Sequence, residues 1–298
     1  MRLSLLFAAI SVAAPAAGQV PNPWRFEVSG LGVHQFAADL DGGPGDVAIT
    51  RVFGRASVAY SFTPRVSIGL SLGAGTTDFD FGGGASLGGI VSPWSRIDDY
   101  RISAPVRFGI GDDVSAFIIP SVRWNGESGA STSDSQTEGV IAGAVWRVSP
   151  SLSIGPGVGA FSRLGSGSTV LPILLLDWDI TDRLSVGTGS GLAATEGPGL
   201  EARYGLTETF TLAAGARYES VRFRLDRDGP TSNGIGETQT LPIYVSATWA
   251  PSPRTNLSAL LGLDVGGEVT LRDSGGGRIE SRDIDPAPFL GVAGQLRF

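Results

Sequence analysis

The segment YRISAPVRFGI, residues 100–110, places an apolar residue at every second position and mainly small or charged residues between them. Successive side chains of a β-strand point to opposite faces, so this period of two predicts a strand with one apolar and one polar face. The same alternation returns in residues 51–62, 200–206 and 257–265. It predicts an all-β protein made of many amphipathic strands.

About fourteen such segments follow one another, with twelve as the alternative count. Their approximate bounds are 24–34, 50–62, 66–76, 99–110, 114–124, 138–148, 152–162, 169–180, 184–194, 199–206, 209–225, 238–250, 256–272 and 286–298. Short turns such as 63–65 and 111–113 alternate with long polar connections such as 77–98 and 125–137. This layout is typical of outer-membrane barrels, in which the short turns face the periplasm.

Aromatic residues gather near the ends of strands that the short turns join. Nine of them share the apolar face there: Trp24, Tyr60, Phe62, Phe108, Trp146, Trp178, Tyr204, Phe210 and Trp249. Aromatic rings collect at lipid–water boundaries, whereas a soluble sandwich has no reason to place them at one level. A thinner outer girdle is predicted from Tyr100, Trp124, Phe223 and Phe289. The pattern predicts a transmembrane antiparallel up-and-down β-barrel.

The amino terminus has the features of a cleaved signal peptide. A basic start at Arg2 precedes an apolar run over residues 3–14 and a stretch of small residues. This run is shorter than the ~20 residues that a spanning helix needs. We expect residues 1–18 to be removed, with cleavage after Ala16 as the alternative, and residues 19–298 to form one barrel domain. The first strand starts too soon for an amino-terminal plug, and no domain is expected after Phe298.

Composition excludes several classes of function. The chain has 22 basic residues, all of them Arg, 29 acidic residues and no Cys, and it carries a net charge of −7. Without a basic cluster it is a poor nucleic-acid binder. A single His and no Cys argue against metal sites built on those ligands and against a lipase-like enzyme, so no cofactor or catalytic residue is predicted. Paired loop aspartates, such as Asp39 and Asp41, are interpreted as solvated charge, with divalent-cation binding as the alternative.

The last segment carries an expected assembly signal. Apolar residues occupy alternate positions at Leu290, Val292, Leu296 and the terminal Phe298. This arrangement resembles the signal by which the barrel-assembly machinery recognises its clients. The expected partners are therefore that machinery and periplasmic chaperones during biogenesis, and outer-membrane lipid and lipopolysaccharide afterwards.

Several tracts in the carboxyl-terminal half resemble an uncharacterised, domain-of-unknown-function family of bacterial outer-membrane β-barrels. They are Val170-Leu171-Pro172, Leu176-Asp177-Trp178, Thr181-Asp182-Arg183, Tyr204-Gly205-Leu206-Thr207 and Arg222-Phe223-Arg224-Leu225. The resemblance implies the same fold and location. It carries over no site residues, because these tracts are structural.

Charged residues on the polar face are the candidate functional residues, because that face should line the lumen. Those nearest mid-depth are Arg55, Glu201, Arg203, Arg217, Glu219, Asp264 and Glu268. Inward charges near a constriction select ions and solutes. Alternatively, Arg203, Arg217 and Asp264 pair with one another and only brace the wall.

The leading functional prediction is a passive, porin-like channel for small polar solutes, acting as a monomer or trimer. Fourteen strands enclose a wider lumen than the filled eight-stranded barrels do. Arginine side chains or the 77–98 loop could occlude that lumen. The alternatives are a closed barrel that serves as a receptor, adhesin or membrane-structural protein and, more weakly, a surface lipid-modifying enzyme.

Overall fold

A computed structural model describes residues 22–188 and 199–298. The predicted signal peptide and the outer end of the predicted 184–194 strand lie outside these ranges. Within them, no helix is long and apolar enough to cross a membrane.

The described ranges contain nineteen β-strands. They are β1 (Trp24–Asp39), β2 (Asp46–Thr63), β3 (Val66–Gly82), β4 (Ser86–Leu87), β5 (Ile90–Val91), β6 (Arg96–Ser103), β7 (Val106–Ile110), β8 (Val114–Glu127), β9 (Gln136–Ser149), β10 (Leu152–Ser162), β11 (Ser168–Asp179), β12 (Leu184–Gly187), β13 (Gly199–Gly205), β14 (Phe210–Arg217), β15 (Glu219–Arg224), β16 (Ile235–Ser252), β17 (Thr255–Arg272), β18 (Arg278–Ile284) and β19 (Ala287–Arg297).

These strands form a closed antiparallel barrel of fourteen strands, each called a stave here because three of them are interrupted and count as two segments. Strands β4 and β5 pair only with each other, and β6/β7, β14/β15 and β18/β19 are each one interrupted stave, so nineteen segments reduce to fourteen. Pro105 and Pro286 lie in two of the interruptions, where a residue without an N–H cannot continue the ladder. The barrel closes where Glu27–Gln35 of β1 pairs with Phe289–Arg297 of β19. The fourteen-strand prediction is confirmed, and the alternative of twelve is wrong.

The outer surface of the barrel carries a continuous apolar belt. Large side chains of the alternating pattern, among them Val52, Leu72, Ile102, Leu174 and Leu261, are exposed there. A belt of this kind suits a hydrocarbon surrounding, in which a closed barrel leaves no strand edge unpaired. At its periplasmic edge the predicted aromatic residues are in contact: the ring centroids of Trp24 and Tyr60 are 4.9 Å apart.

The predicted outer girdle is only half correct. Tyr100 is exposed on the lipid side and is paired across the strands with Trp124. Phe223 and Phe289 are instead buried inside the barrel. Both side chains lie at inward positions of their strands. Phe223 is two residues after Val221, which faces inward, and Phe289 is next to Leu290, which faces outward.

We expect the two faces of a strand to respond differently to a new charge. Leu261→Arg should lower the free energy of unfolding by about 2–4 kcal/mol, because Leu261 is 63% exposed on the lipid face. Ser57→Arg, on the lumen face, should cost much less. Urea titration of refolded protein in bilayers measures both changes, and equal costs would refute the assignment of faces. Leu260→Arg is not a suitable lumen control, because Leu260 is buried against Val33, Tyr244 and Phe289.

Candidate functional site: the barrel lumen

Apolar side chains fill the outer half of the lumen. The strands extend farther toward the extracellular side than the sequence predicted. In these extensions the apolar residues occupy the inward positions: Val47 and Ile49 of β2 are fully buried, whereas Val52, nearer the periplasm, faces lipid. Twenty buried residues form one cluster, called the outer cluster here although Phe117 and Leu175 lie nearer the periplasmic ends of their strands: Ala38, Leu40, Val47, Ile49, Phe79, Ala85, Leu87, Trp94, Ile97, Phe117, Ile141, Phe161, Leu175, Val221, Phe223, Leu225, Val269, Leu271, Ile284 and Ala287.

The connection between β3 and β6 contributes the centre of the outer cluster. Residues 83–95 fold into the barrel mouth, where Leu87 is 0% and Trp94 2% exposed. The Trp94 ring packs edge-on against Phe79 and Phe223, with centroid distances of 5.9 and 5.3 Å. The prediction that the 77–98 segment could occlude the lumen agrees with this arrangement, although the occluding part is shorter.

Arg282 of β18 ties this inserted connection to its surroundings. Its buried guanidinium donates hydrogen bonds to five backbone carbonyls, those of Leu40 (2.6 Å), Asp41 (2.7 Å), Gly43 (2.7 Å), Pro44 (3.3 Å) and Ser86 (3.2 Å). Two residues earlier, the Glu280 carboxylate accepts a hydrogen bond from the Gly88 N–H at 2.6 Å. The β4–β5 hairpin and the 40–45 connection are therefore both held to one face of β18.

A second polar network closes the mouth from the other side. Arg224 donates to the carbonyls of Asp134 (2.9 Å), Asn233 (2.7 Å) and Ser274 (3.2 Å), which belong to three different loops. The buried carboxylate of Glu237 lies 3.1 Å from Nε of Arg222 and 2.6 Å from Nε of Arg272. Strand β15 also pairs with β8 at Arg224 and Gly126. These contacts join opposite sides of the barrel.

A charged layer lies beneath the outer cluster, and it contains six of the seven predicted lumen charges. The Glu201 carboxylate accepts a hydrogen bond from the Tyr244 hydroxyl at 2.6 Å and lies 3.7 Å from Nε of Arg203. Nε of Arg55 donates to the Ser71 hydroxyl at 2.6 Å. The remaining three, Arg217, Glu219 and Asp264, are buried. Arg203 thus forms an ion pair with Glu201, whereas the bracing alternative predicted a pairing with Asp264.

Glu268 was predicted to face the lumen, and the structure places it on the opposite face. A bulge at Gly266, which has a φ of 59°, shifts the alternation of β17. Beyond the bulge, Val269 enters the outer cluster while the Glu268 carboxylate accepts a hydrogen bond from the Thr270 hydroxyl at 2.7 Å. The lumen assignment is therefore wrong for Glu268.

A cavity of about 60 Å³ lies between the charged layer and the outer cluster. Its polar lining includes Arg51, Asp99, Arg123, Asn125, Glu219 and Asp264, and its apolar lining includes Phe53, Phe79, Phe223 and Phe289. This volume accommodates only a few water molecules. Arg51 and Asp99 were not among the predicted lumen charges. Arg51 lies four residues before Arg55, and Asp99 lies two residues before Arg101. The period of two therefore already indicated that both side chains face the lumen.

No cluster of three or more metal-ligating side chains occurs among the residues that the structure describes. The single His34 lies at the outer end of the membrane belt, where its Nδ1 is 2.9 Å from the Thr50 hydroxyl.

Comparison with solved structures supports the same class of protein: the chain has the fold of a bacterial outer-membrane β-barrel. An outer-membrane channel from Pseudomonas putida F1 superposes with a TM-score of 0.50 at 12% identity, covering 96% of this chain and 100% of that one. A FadL homologue from Pseudomonas aeruginosa gives 0.44 at 14% identity, covering 92% and 89%. The toluene transporter TbuX from Ralstonia pickettii gives 0.46 at 10% identity, covering 93% and 90%.

No family model matches the sequence, and no curated protein matches it. The resemblance to a particular uncharacterised family therefore stays a prediction, whereas the barrel class and the outer-membrane location are established.

Proposed function

We propose that this protein is a passive outer-membrane channel for small solutes, and that the described conformation is its closed state. The observation that carries the proposal is the inserted 83–95 connection, whose Ala85, Leu87 and Trp94 join the wall side chains in filling the outer lumen of a fourteen-stranded barrel. Displacement of the β4–β5 hairpin would open part of the mouth without any change in the strand ladders of the wall, because β4 and β5 pair only with each other.

The apolar side chains in the outer half of the lumen limit the kind of solute that could pass. A fully polar solute would lose its hydration on entering the outer cluster without gaining hydrogen bonds, which is costly. A solute with an apolar part would bury that part there and bring its polar group to the charged layer. We therefore favour small amphipathic solutes. The fully polar solutes predicted from the sequence are the second candidate, and the charged layer is the feature that favours them.

Removal of the β4–β5 hairpin tests the channel proposal. The Ser92 N–H donates to the Ala85 carbonyl at 3.1 Å, so deletion of residues 86–91 brings together two ends that are already adjacent. We expect the deletion variant to conduct in planar bilayers at several times the wild-type level. Val91→Ser, at an exposed position of the same hairpin, should leave conductance unchanged.

The outcome separates the channel from its rivals. Ion currents from the deletion variant that match the wild type, with both correctly folded, would contradict the proposed gate. An absence of current from both would defeat the channel itself and favour a closed barrel that presents its loops as a receptor or adhesin. The proposed channel needs no catalytic group or cofactor.

The assembly partners belong to the proposal as well. Leu290, Val292, Leu296 and Phe298 are all exposed on the lipid side of the closing stave. This placement suits recognition of the strand by the barrel-assembly machinery before closure and contact with lipid afterwards.

A further inference from the structure

We propose that the channel selects small organic anions, which bind to a donor-rich wall formed by β2, β3, β6 and β8. This inference specifies the solute of the proposed channel, and its transport role rests on that function. The binding site itself is argued from the lumen alone.

Three arginines lie in one row across this wall. Arg55 of β2 is paired with Gly73 of β3, Gly73 with Arg101 of β6, and Arg101 with Arg123 of β8. Neighbouring strands are about 4.8 Å apart, so the three guanidinium groups start from backbone positions within about 15 Å of each other. Gly73 leaves room in this row for the Phe53 ring, whose nearest atom would be 2.7 Å from an added Cβ.

A row of serine hydroxyls runs beside the arginine row. Ser57, Ser71, Ser103 and Ser121 are paired in turn across β2, β3, β6 and β8, two residues from the arginines on the periplasmic side. Guanidinium groups only donate hydrogen bonds, and hydroxyls can donate as well as accept. The two rows together form a wall with many donors, which suits the oxygen atoms of an anion.

The balance of charge favours anions too. The strands of this wall and the adjoining β1, β7 and β19 add inward Arg25, Arg51, Arg107 and Arg297, which gives seven arginines, against the three carboxylates of Glu27, Asp99 and Glu127. Asp99 accepts a hydrogen bond from Nε of Arg123 at 2.6 Å, and Glu27 lies 3.3 Å from Nε of Arg297. The wall therefore carries an excess of four positive charges.

The other charged residues of the described lumen do not cancel the excess positive charge of this wall. On the opposite side Arg203 and Arg217 lie with Glu201, Glu219 and Asp264, nearer the periplasm Arg147 faces Asp177 and Asp179, and at the mouth Arg282 accompanies Glu280. In total eleven arginines face nine carboxylates, an excess of two positive charges in a chain whose net charge is −7. A passage with low-dielectric walls concentrates such a field on the solute.

The ligand class follows from the two parts of the lumen. A carboxylate, sulfonate or phosphate group matches the planar donors of arginine. The Phe53 ring in the arginine row and the aromatic lining of the cavity offer apolar contacts to a short apolar or aromatic body once the mouth opens, because the cavity of the closed state is too small to hold one. Small organic anions meet both requirements.

Binding of three matched probes tests the site independently of conduction. Benzoate, benzyl alcohol and benzylammonium share a ring and differ in charge, and their affinities for the refolded full chain and for its more open 86–91 deletion variant in detergent can be measured by calorimetry. We expect benzoate to bind about tenfold more tightly than the alcohol, as one charge-assisted hydrogen bond implies, and benzylammonium to bind most weakly. Arg55→Gln and Arg101→Gln should each remove most of the preference for benzoate. Arg65→Gln, in an exposed periplasmic turn, should not.

Equal affinities for the three probes, or a preference for the cation, would overturn the proposal. Because Arg101 is buried, the less buried Arg55 provides the decisive variant if Arg101→Gln fails to fold. Reversal potentials of the 86–91 deletion variant across a KCl gradient provide the second readout, with anion selectivity expected. Cation-selective currents would refute anion selection but leave the channel intact. A preference for benzoate without current would contradict the channel and keep the binding site.

Discussion

Arg282→Ala should loosen the whole extracellular mouth and should open the barrel to ion flow. The side chain donates to five carbonyls in the 40–44 segment and at Ser86, and all five would lose this donor. A buried polar group left unsatisfied costs about 1–3 kcal/mol. We therefore expect a loss of at least about 3 kcal/mol in unfolding free energy, together with increased single-channel conductance.

Arg282→Lys is the matched control for this prediction. Lysine keeps the charge but lacks the planar fork that reaches several carbonyls at once, so an intermediate effect is expected. Urea titration measures stability, and cleavage by trypsin after the exposed Arg96 and Arg278 reports on the loops. If the alanine variant were as stable and as resistant to trypsin as the wild type, Arg282 would not be holding the mouth closed.

Glu237→Gln should be the most destabilising conservative substitution in the outer half. The Glu237 carboxylate is 3% exposed and lies between the guanidinium groups of Arg222 and Arg272. Removal of its charge leaves two arginines facing each other in a buried place, which costs about 3–5 kcal/mol.

Asp112→Asn is the control for this second variant. The Arg65–Asp112 ion pair is exposed at the periplasmic end, and its loss should change stability by less than about 1 kcal/mol. Urea midpoints of both variants provide the comparison. Similar small changes for both would show that the network around Glu237 is solvated and contributes little.

The membrane-spanning part of the fold could be predicted because lipid imposes one rule on every stave. Apolar side chains must face outward there, so the period of two shows the strand, its faces and its approximate ends. The prediction stopped early on β2 at residue 50, because beyond Arg51 the apolar residues change face. Val47 and Ile49 obey the opposite rule, since the outer half is surrounded by water and buries its apolar residues inward.

The candidate site was less predictable for the same reason. Strict alternation placed Arg55 and Glu201 correctly, but it cannot detect a bulge, and one extra residue at Gly266 moved Glu268 to the other face. The contacts of Arg282 could not be predicted either. They join segments about 240 residues apart in sequence, and they involve backbone carbonyls, which leave no pattern of residue types.

The inward-facing apolar core of the outer half gives the closed state a thermal signature. Opening the mouth would expose Leu87, Trp94 and their neighbours to water, and hydration of apolar surface raises heat capacity. The free energy of closing the mouth therefore changes non-linearly with temperature, and its hydrophobic contribution weakens on cooling. A cold-exposed cell would thus hold this mouth closed less firmly, whereas polar tethers such as Arg282 would keep most of their strength.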